Sequence, residues 1–126
     1  MIVFLFLFSF FDKLFLVYFL EKLFEFDPLP HALLAKMDEI YNLSAIRNAE
    51  VRFRWQRLCL RADYEPIYAQ VVQFVTEQGR MKFVRPLYKE LHAAKNGGSE
   101  LAKKTFAAHK DSYHPIAATM IEKDIL

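Results

Sequence analysis

The side chains best equipped to do chemistry in this chain are three closely spaced cations, Arg80, Lys82 and Arg85. They follow Gly79 in the stretch Glu77-Gln78-Gly79-Arg80-Met81-Lys82-Phe83-Val84-Arg85-Pro86-Leu87. Gly79 reads as the end of one helix, in the left-handed cap position that favours glycine, and the cations crowd the start of the next. Cations there face the positive end of the helix macrodipole, a mismatch of roughly 0.3 to 1 kcal/mol each where exposed. A bound anion removes the conflict. A helix N-terminus offers free N–H groups to a carboxylate or phosphate, and an Arg beside a Lys adds a planar fork and a point charge. From these residues alone, a solvated basic turn is the alternative reading.

Other reactive groups are scattered. The four histidines, His31, His92, His109 and His114, form no His-Glu-x-x-His arrangement, which would put two imidazoles on one helical face with a general base between them. His109 and His114 are close enough in sequence to share a metal only in an unusual geometry, so no metal site and no catalytic residue is assigned. Ser44, Ser99 and Ser112 lack a nucleophile-elbow context, and no phosphate-binding glycine loop is present. Arg52, Arg54, Arg57 and Arg61 could contact phosphates as one arginine-rich face, or could be solvated and paired with neighbouring helices. Cys59 sits on an apolar stripe, where a thiol is ordinarily core packing.

These residues must be positioned by helices. Three glycines in 126 residues, with abundant Ala, Leu, Glu and Lys after position 20, favour an all-α protein. Asp27-Pro28-Leu29-Pro30 breaks the chain before a helix carrying Leu33, Leu34, Met37, Ile40 and Tyr41 and ending near Asn42. Asn48 is the expected N-cap of a helix with the buried stripe Val51, Trp55, Leu58, Cys59 and Ala62, and Glu50 is spaced to pair with Arg54. Asp63 is expected to cap the next helix, with Pro66 in its first turn. Phe83, Leu87, Leu91 and Ala94 outline a fifth helix. Ser99 is expected to cap a sixth running to about Lys110, and Pro115 opens a last one bearing Ile116, Thr119 and Met120. Short connections between amphipathic helices predict antiparallel pairs, stacked as an α-α superhelix of ARM/HEAT-like kind with an extra apolar N-terminal helix.

Charge and composition narrow the partners. A net charge of +2 on 17 basic and 15 acidic residues does not announce nucleic acid. One cysteine excludes an internal disulfide and suits a reducing compartment, so Asn42-Leu43-Ser44, which matches a glycosylation sequon, is given no role. Residues 1–19 form an apolar segment of doubtful origin, interrupted by Asp12 and Lys13, and residues 20–126 the helical domain. The segment lacks the basic region and cleavage site of a secretory signal. It reads as a membrane or signal-anchor helix, as a buried helix, or as the product of a misassigned start.

Several blocks, in order, resemble the C-terminal helical domain of the leukotriene A(4) hydrolase and aminopeptidase B family of zinc metallopeptidases. They are Asn48-Ala49-Glu50-Val51-Arg52-Phe53-Arg54-Trp55, Thr76-Glu77-Gln78-Gly79-Arg80-Met81-Lys82-Phe83, Arg85-Pro86-Leu87-Tyr88-Lys89, and His109-Lys110 with His114-Pro115. The resemblance spans roughly Leu20 to Leu126, and the Arg-Met-Lys triplet places it nearer the hydrolase than aminopeptidase B. It implies a cytoplasmic enzyme whose zinc ligands, general base and oxyanion-stabilising tyrosine lie in a preceding catalytic domain, a partner missing from this chain. It also implies that Arg80 and Lys82 bind the substrate carboxylate, either the C-terminus of a peptide or the acid end of a lipid epoxide. On this reading the chain is a fragment that binds no zinc of its own and is inactive alone. The alternative is a non-catalytic helical interaction module, membrane-anchored through residues 2–20.

Overall fold

The structure, a computed structural model, describes the backbone of residues 2–126 and the side chains of residues 13–126. Among the described residues it is all helix: α1 (Ile2–Leu23), α2 (His31–Tyr41), α3 (Ala49–Arg61), α4 (Tyr68–Glu77), α5 (Met81–Ala93), α6 (Gly98–His109) and α7 (Pro115–Ile125). Short 3-10 turns occupy Leu43–Ala45, Glu65–Ile67 and Lys110–Ser112. The all-α class is as expected. The side chains of residues 2–12, on which the membrane reading of the first segment turns, lie outside the described residues. Among those described, no helix is long and apolar enough to cross a membrane.

Local chemistry explains most boundaries. α2 ends at Asn42, whose φ of 54° is the left-handed conformation that asparagine tolerates. Asn48 Oδ1 accepts hydrogen bonds from the N–H groups of Glu50 (3.0 Å) and Val51 (3.3 Å), the expected N-cap of α3. At α7, Pro115 occupies the first turn, where its missing N–H costs nothing. The preceding His114 accepts at Nδ1 from Ile116 N–H at 3.2 Å.

Three boundary expectations are corrected. Gly79 is not a left-handed cap: α4 closes on Gln78, in extended conformation at φ −106°, and Gly97 is the one glycine with positive φ among the described residues. Asp63 does not cap α4. It turns at φ 54° after α3, and its Oδ1 accepts from Lys95 N–H at 2.8 Å, fixing the loop between α5 and α6 instead. α6 begins at Gly98 rather than after a Ser99 cap, because Gly97, at φ 88°, takes the N-cap place. Ser99 Oγ instead meets His92 Nδ1 at 3.0 Å.

The chain divides into two compact units, Met1–Leu58 and Cys59–Leu126, the division falling inside α3. In the first unit Leu16, Leu20, Leu34, Met37, Leu43, Val51 and Trp55 are buried. The expected α2 stripe is only half covered: Leu34 and Met37 are inside, but Leu33, Ile40 and Tyr41 are 44%, 62% and 40% exposed. In the second unit α5 is central and packs on α4, α6 and α7. It buries Phe83, Val84, Leu87, Tyr88 and Leu91 on one broad face. Its interior Pro86 has no N–H to donate to the Lys82 carbonyl one turn back, and the helix nevertheless runs through it. Tyr88 lies edge-on to both Phe106 and Tyr113. The face of α7 differs from the expected one. Ala117, Ile121 and Ile125 are buried, while Ile116 is 61% exposed.

Candidate functional site

The turn between α4 and α5 carries the two cations singled out by sequence. Arg80 is the N-cap residue of α5, in extended conformation. Its N–H donates to Gln78 Oε1 at 3.0 Å, and its carbonyl accepts from the N–H groups of Phe83 and Val84, both at 3.0 Å. This backbone frame holds Arg80 at the first turn, and its side chain is exposed. Lys82, one residue inside the helix, is also exposed.

Both cations converge on one ring. Arg80 Cζ and Lys82 Nζ each lie 5.1 Å from the centroid of Phe83, within the range of a cation–π contact. Phe83 is itself buried and meets Phe74 of α4 edge-on, with centroids 5.9 Å apart at 62°. The Arg80 guanidinium has no carboxylate partner among the described residues. No acidic residue stands in the first turn of α5.

Arg85, the third cation of the sequence cluster, goes elsewhere. Its Nε donates to Asp124 Oδ2 at 2.8 Å and its Nη2 to Oδ1 at 3.3 Å, a two-pronged pair that ties α5 to α7. Hydrogen bonding from Arg85 holds the Asp124 carboxyl below its ordinary range, and the guanidinium is raised in turn by the same bonds. The basic cluster of the sequence is thus two exposed cations at the start of α5 and one paired with a carboxylate on α7.

A buried hydroxyl chain lies in the same unit. Tyr113 donates to the Val75 carbonyl at 2.6 Å, which leaves its oxygen to accept from Tyr88 at 2.9 Å. Burial is the main cause that raises both phenols, Tyr88 well beyond the usual tyrosine range. Val75 sits in the last turn of α4, so this chain secures the end of the helix that leads into the basic turn.

The remaining candidates are absorbed by structure. Arg54 pairs with Glu50 at 2.6 Å and with Glu21 at 3.6 Å, and Arg57 stacks over Phe24 at 4.4 Å and Phe53 at 5.3 Å. Glu21, Phe24, Phe53, Arg54 and Arg57, with Leu20 and Glu25, line a cleft of about 220 Å³ within the first unit. Cys59 is fully buried. No group of three or more potential metal ligands occurs among the described residues, His109 and His114 included. The sequence reading assigned Phe83 only to the core and missed the two cations over its ring, although an Arg three residues before it and a Lys one before it were visible signals. Nothing nearby in sequence announced Asp124 as the partner of Arg85, 39 residues away.

The comparisons with known proteins agree with one another. Residues 11–125 match the family model described as Leukotriene A4 hydrolase, C-terminal. The chain is 40% identical over 98 residues to Leukotriene A-4 hydrolase of Xenopus laevis, a match covering 78% of this chain and 16% of the relative. To Aminopeptidase B of Mus musculus it is 35% identical over 109 residues, covering 86% of this chain and 17% of that one. Among solved structures, native yeast LTA4 hydrolase superimposes with a TM-score of 0.77 at 31% identity, covering 87% of this chain and 19% of the yeast chain. The chain therefore spans less than a fifth of the length of these relatives. It belongs to the Leukotriene A4 hydrolase C-terminal family.

Proposed function

We propose that this chain acts as the C-terminal helical domain of a zinc aminopeptidase, in which Arg80 and Lys82 hold the carboxylate end of the substrate. The observation that carries the reading is the convergence of two exposed cations on Phe83 at a helix start, in a family whose relatives include named aminopeptidases. A guanidinium grips a carboxylate with two parallel hydrogen bonds, so Arg80 is the dominant contact and Lys82 the supporting charge. Holding the far end of a peptide fixes the position of its scissile bond, and part of the binding energy is then expressed in the transition state. The acid end of a lipid epoxide presents the same carboxylate chemistry. The zinc has no ligand set among the described residues of this chain, and no step proposed for Arg80 or Lys82 passes through it. This reading places the protein in the cytoplasm, where the buried Cys59 stays a thiol.

The test is a chimera in which residues 11–125 replace the matching part of the yeast enzyme. Arg80→Ala should lower kcat/KM for a tripeptide with a free C-terminus by about 100-fold or more. Lys82→Ala should act chiefly by raising KM. The C-terminal amide of the same tripeptide, already lacking the carboxylate, should respond little to either change. Unchanged kinetics on the free acid in both variants would refute the assignment.

A further inference from the structure

We propose that Gln78 is a positioning residue for this carboxylate site: its side-chain oxygen fixes the backbone from which Arg80 reaches the substrate and, being neutral, does not compete for the guanidinium. This rests on the proposed role of Arg80 and adds the group that aims it. Gln78 closes α4 in extended conformation, its own N–H bonded to the Phe74 carbonyl at 2.8 Å. Its Oε1 turns forward past Gly79 and accepts from Arg80 N–H at 3.0 Å. On the other side, the Arg80 carbonyl accepts from Phe83 and Val84 N–H. Both polar groups of the Arg80 backbone are therefore tied, one to the end of α4 and one to the start of α5, and this sets the direction in which the side chain leaves the turn.

The sequence leaves a gap that this bond fills. A helix N-cap is ordinarily Ser, Thr, Asp or Asn, whose oxygen accepts from first-turn N–H groups. Arginine has donors only, and Arg80 makes no side-chain cap bond. In the usual reciprocal arrangement, a Glu or Gln at the third helical position reaches back to the N-cap N–H. Here that position is Phe83, which cannot. Gln78 performs the same service from the other direction, as a side chain that bonds the backbone two residues on. A carboxylate at position 78 would make the bond as well, and the start of α5 would favour its charge. It would also set a fixed anion two residues from Arg80, to rival the substrate for the guanidinium. The amide supplies the acceptor without the rival. A guanidinium whose backbone is held in advance loses less freedom when its ligand binds.

The test compares Gln78→Ala, which removes the acceptor, Gln78→Asn, whose shorter amide still reaches the N–H two residues on, and Gln78→Glu, which keeps the acceptor and adds a charge. Binding of trialanine to the whole chain is followed by NMR at low salt, with trialanine amide as control. Urea midpoints and amide spectra establish folding for each variant. Without ligand, the Arg80 amide proton reports the bond itself, and its exchange with water should be slower in the native protein and in Gln78→Asn than in Gln78→Ala. Trialanine affinity should fall about three- to ten-fold in Gln78→Ala and recover in Gln78→Asn. In Gln78→Glu it should fall about two- to five-fold, and less at high salt, although the Arg80 amide stays protected. A purely structural cap would keep its affinity wherever its bond is kept, so this variant separates aiming from capping. The control amide should respond little to any of the three. If the native protein does not distinguish trialanine from its amide, the carboxylate reading fails, and the inference with it. If it does distinguish them but either Gln78→Ala or Gln78→Glu, natively folded, binds trialanine as the native protein does, the carboxylate site stands and Gln78 only closes α4.

Discussion

Three cations drawn close together by the sequence have different fates, and neighbouring groups decide which. Arg85 finds Asp124 and is committed to joining α5 and α7, whereas Arg80 and Lys82 share the Phe83 ring at an open turn. The Arg85 pair has a pH signature. Hydrogen bonding from Arg85 is the largest of the effects that depress Asp124 from its ordinary value of 3.8. A carboxylate whose folded pKa is lowered contributes stability that is fully present above the unfolded value and is lost as pH falls through the folded one. Asp124→Asn keeps the shape and abolishes the charge. The gap in urea midpoint between native protein and this variant should be full at about pH 6 and close as pH drops below about 4. A gap that stays constant down to about pH 2 would mean the contact acts by shape and neutral hydrogen bonding alone. The buried Tyr88–Tyr113 pair adds nothing in this window, since both phenols are raised and remain neutral.

At the scale of helices, side chains that cap or break were legible and backbone conformations that depend on tertiary contact were not. Asn48 and Pro115 act locally, so α3 and α7 start where their sequences say. Gly79 and Gly98 look alike in sequence but differ in what surrounds them. Gly79 has ordinary backbone angles and nothing within 4 Å of where a Cβ would stand. At Gly98 a Cβ would overlap the Leu91 carbonyl oxygen and come within 2.9 Å of Ala94 Cβ, because α6 starts against the last turns of α5. The glycine that drew attention as punctuation is thus replaceable, and Gly98 is the one that close packing requires. Gly98→Ala should destabilise the protein by about 1–3 kcal/mol, the usual cost of overpacking. Gly79→Ala should be neutral or stabilising by about 0.4–1 kcal/mol through a less flexible unfolded chain. Urea unfolding of the two variants decides the matter, and equal losses would contradict the close approach at Gly98. The same logic applies to α7: the sequence marked Ile116, Thr119 and Met120 on this helix, but its buried residues are Ala117, Ile121 and Ile125 and Ile116 is exposed.

For the whole molecule, apolar surface is unevenly retired between the two units. Of the large apolar side chains left exposed among the described residues, Leu14, Phe15, Tyr18, Phe26, Leu33, Ile40 and Tyr41 belong to the first unit, against Ile116 and Leu126 in the second. Each large side chain moved from water to a core contributes about 1.5–3 kcal/mol, so local stability should follow this distribution. α2 buries only Leu34 and Met37. α5 buries Phe83, Val84, Leu87, Tyr88 and Leu91, packs on α4, α6 and α7, and is held by the Tyr88–Tyr113–Val75 hydroxyl chain. Amides of α2 should therefore exchange with solvent deuterium through local opening, while those of α5 should exchange only near global unfolding. The proposed site gains from this order. Arg80 and Lys82 are carried at the start of the best-anchored helix, and a carboxylate clamp needs such a base if it is to fix one end of a substrate to within a fraction of an ångström. Hydrogen exchange followed by mass spectrometry, comparing peptides over residues 31–41 and 81–93, measures the difference directly. Equal protection of the two helices would show that exposed surface does not set the order of opening, and would remove the stability argument for a rigid base beneath the cations.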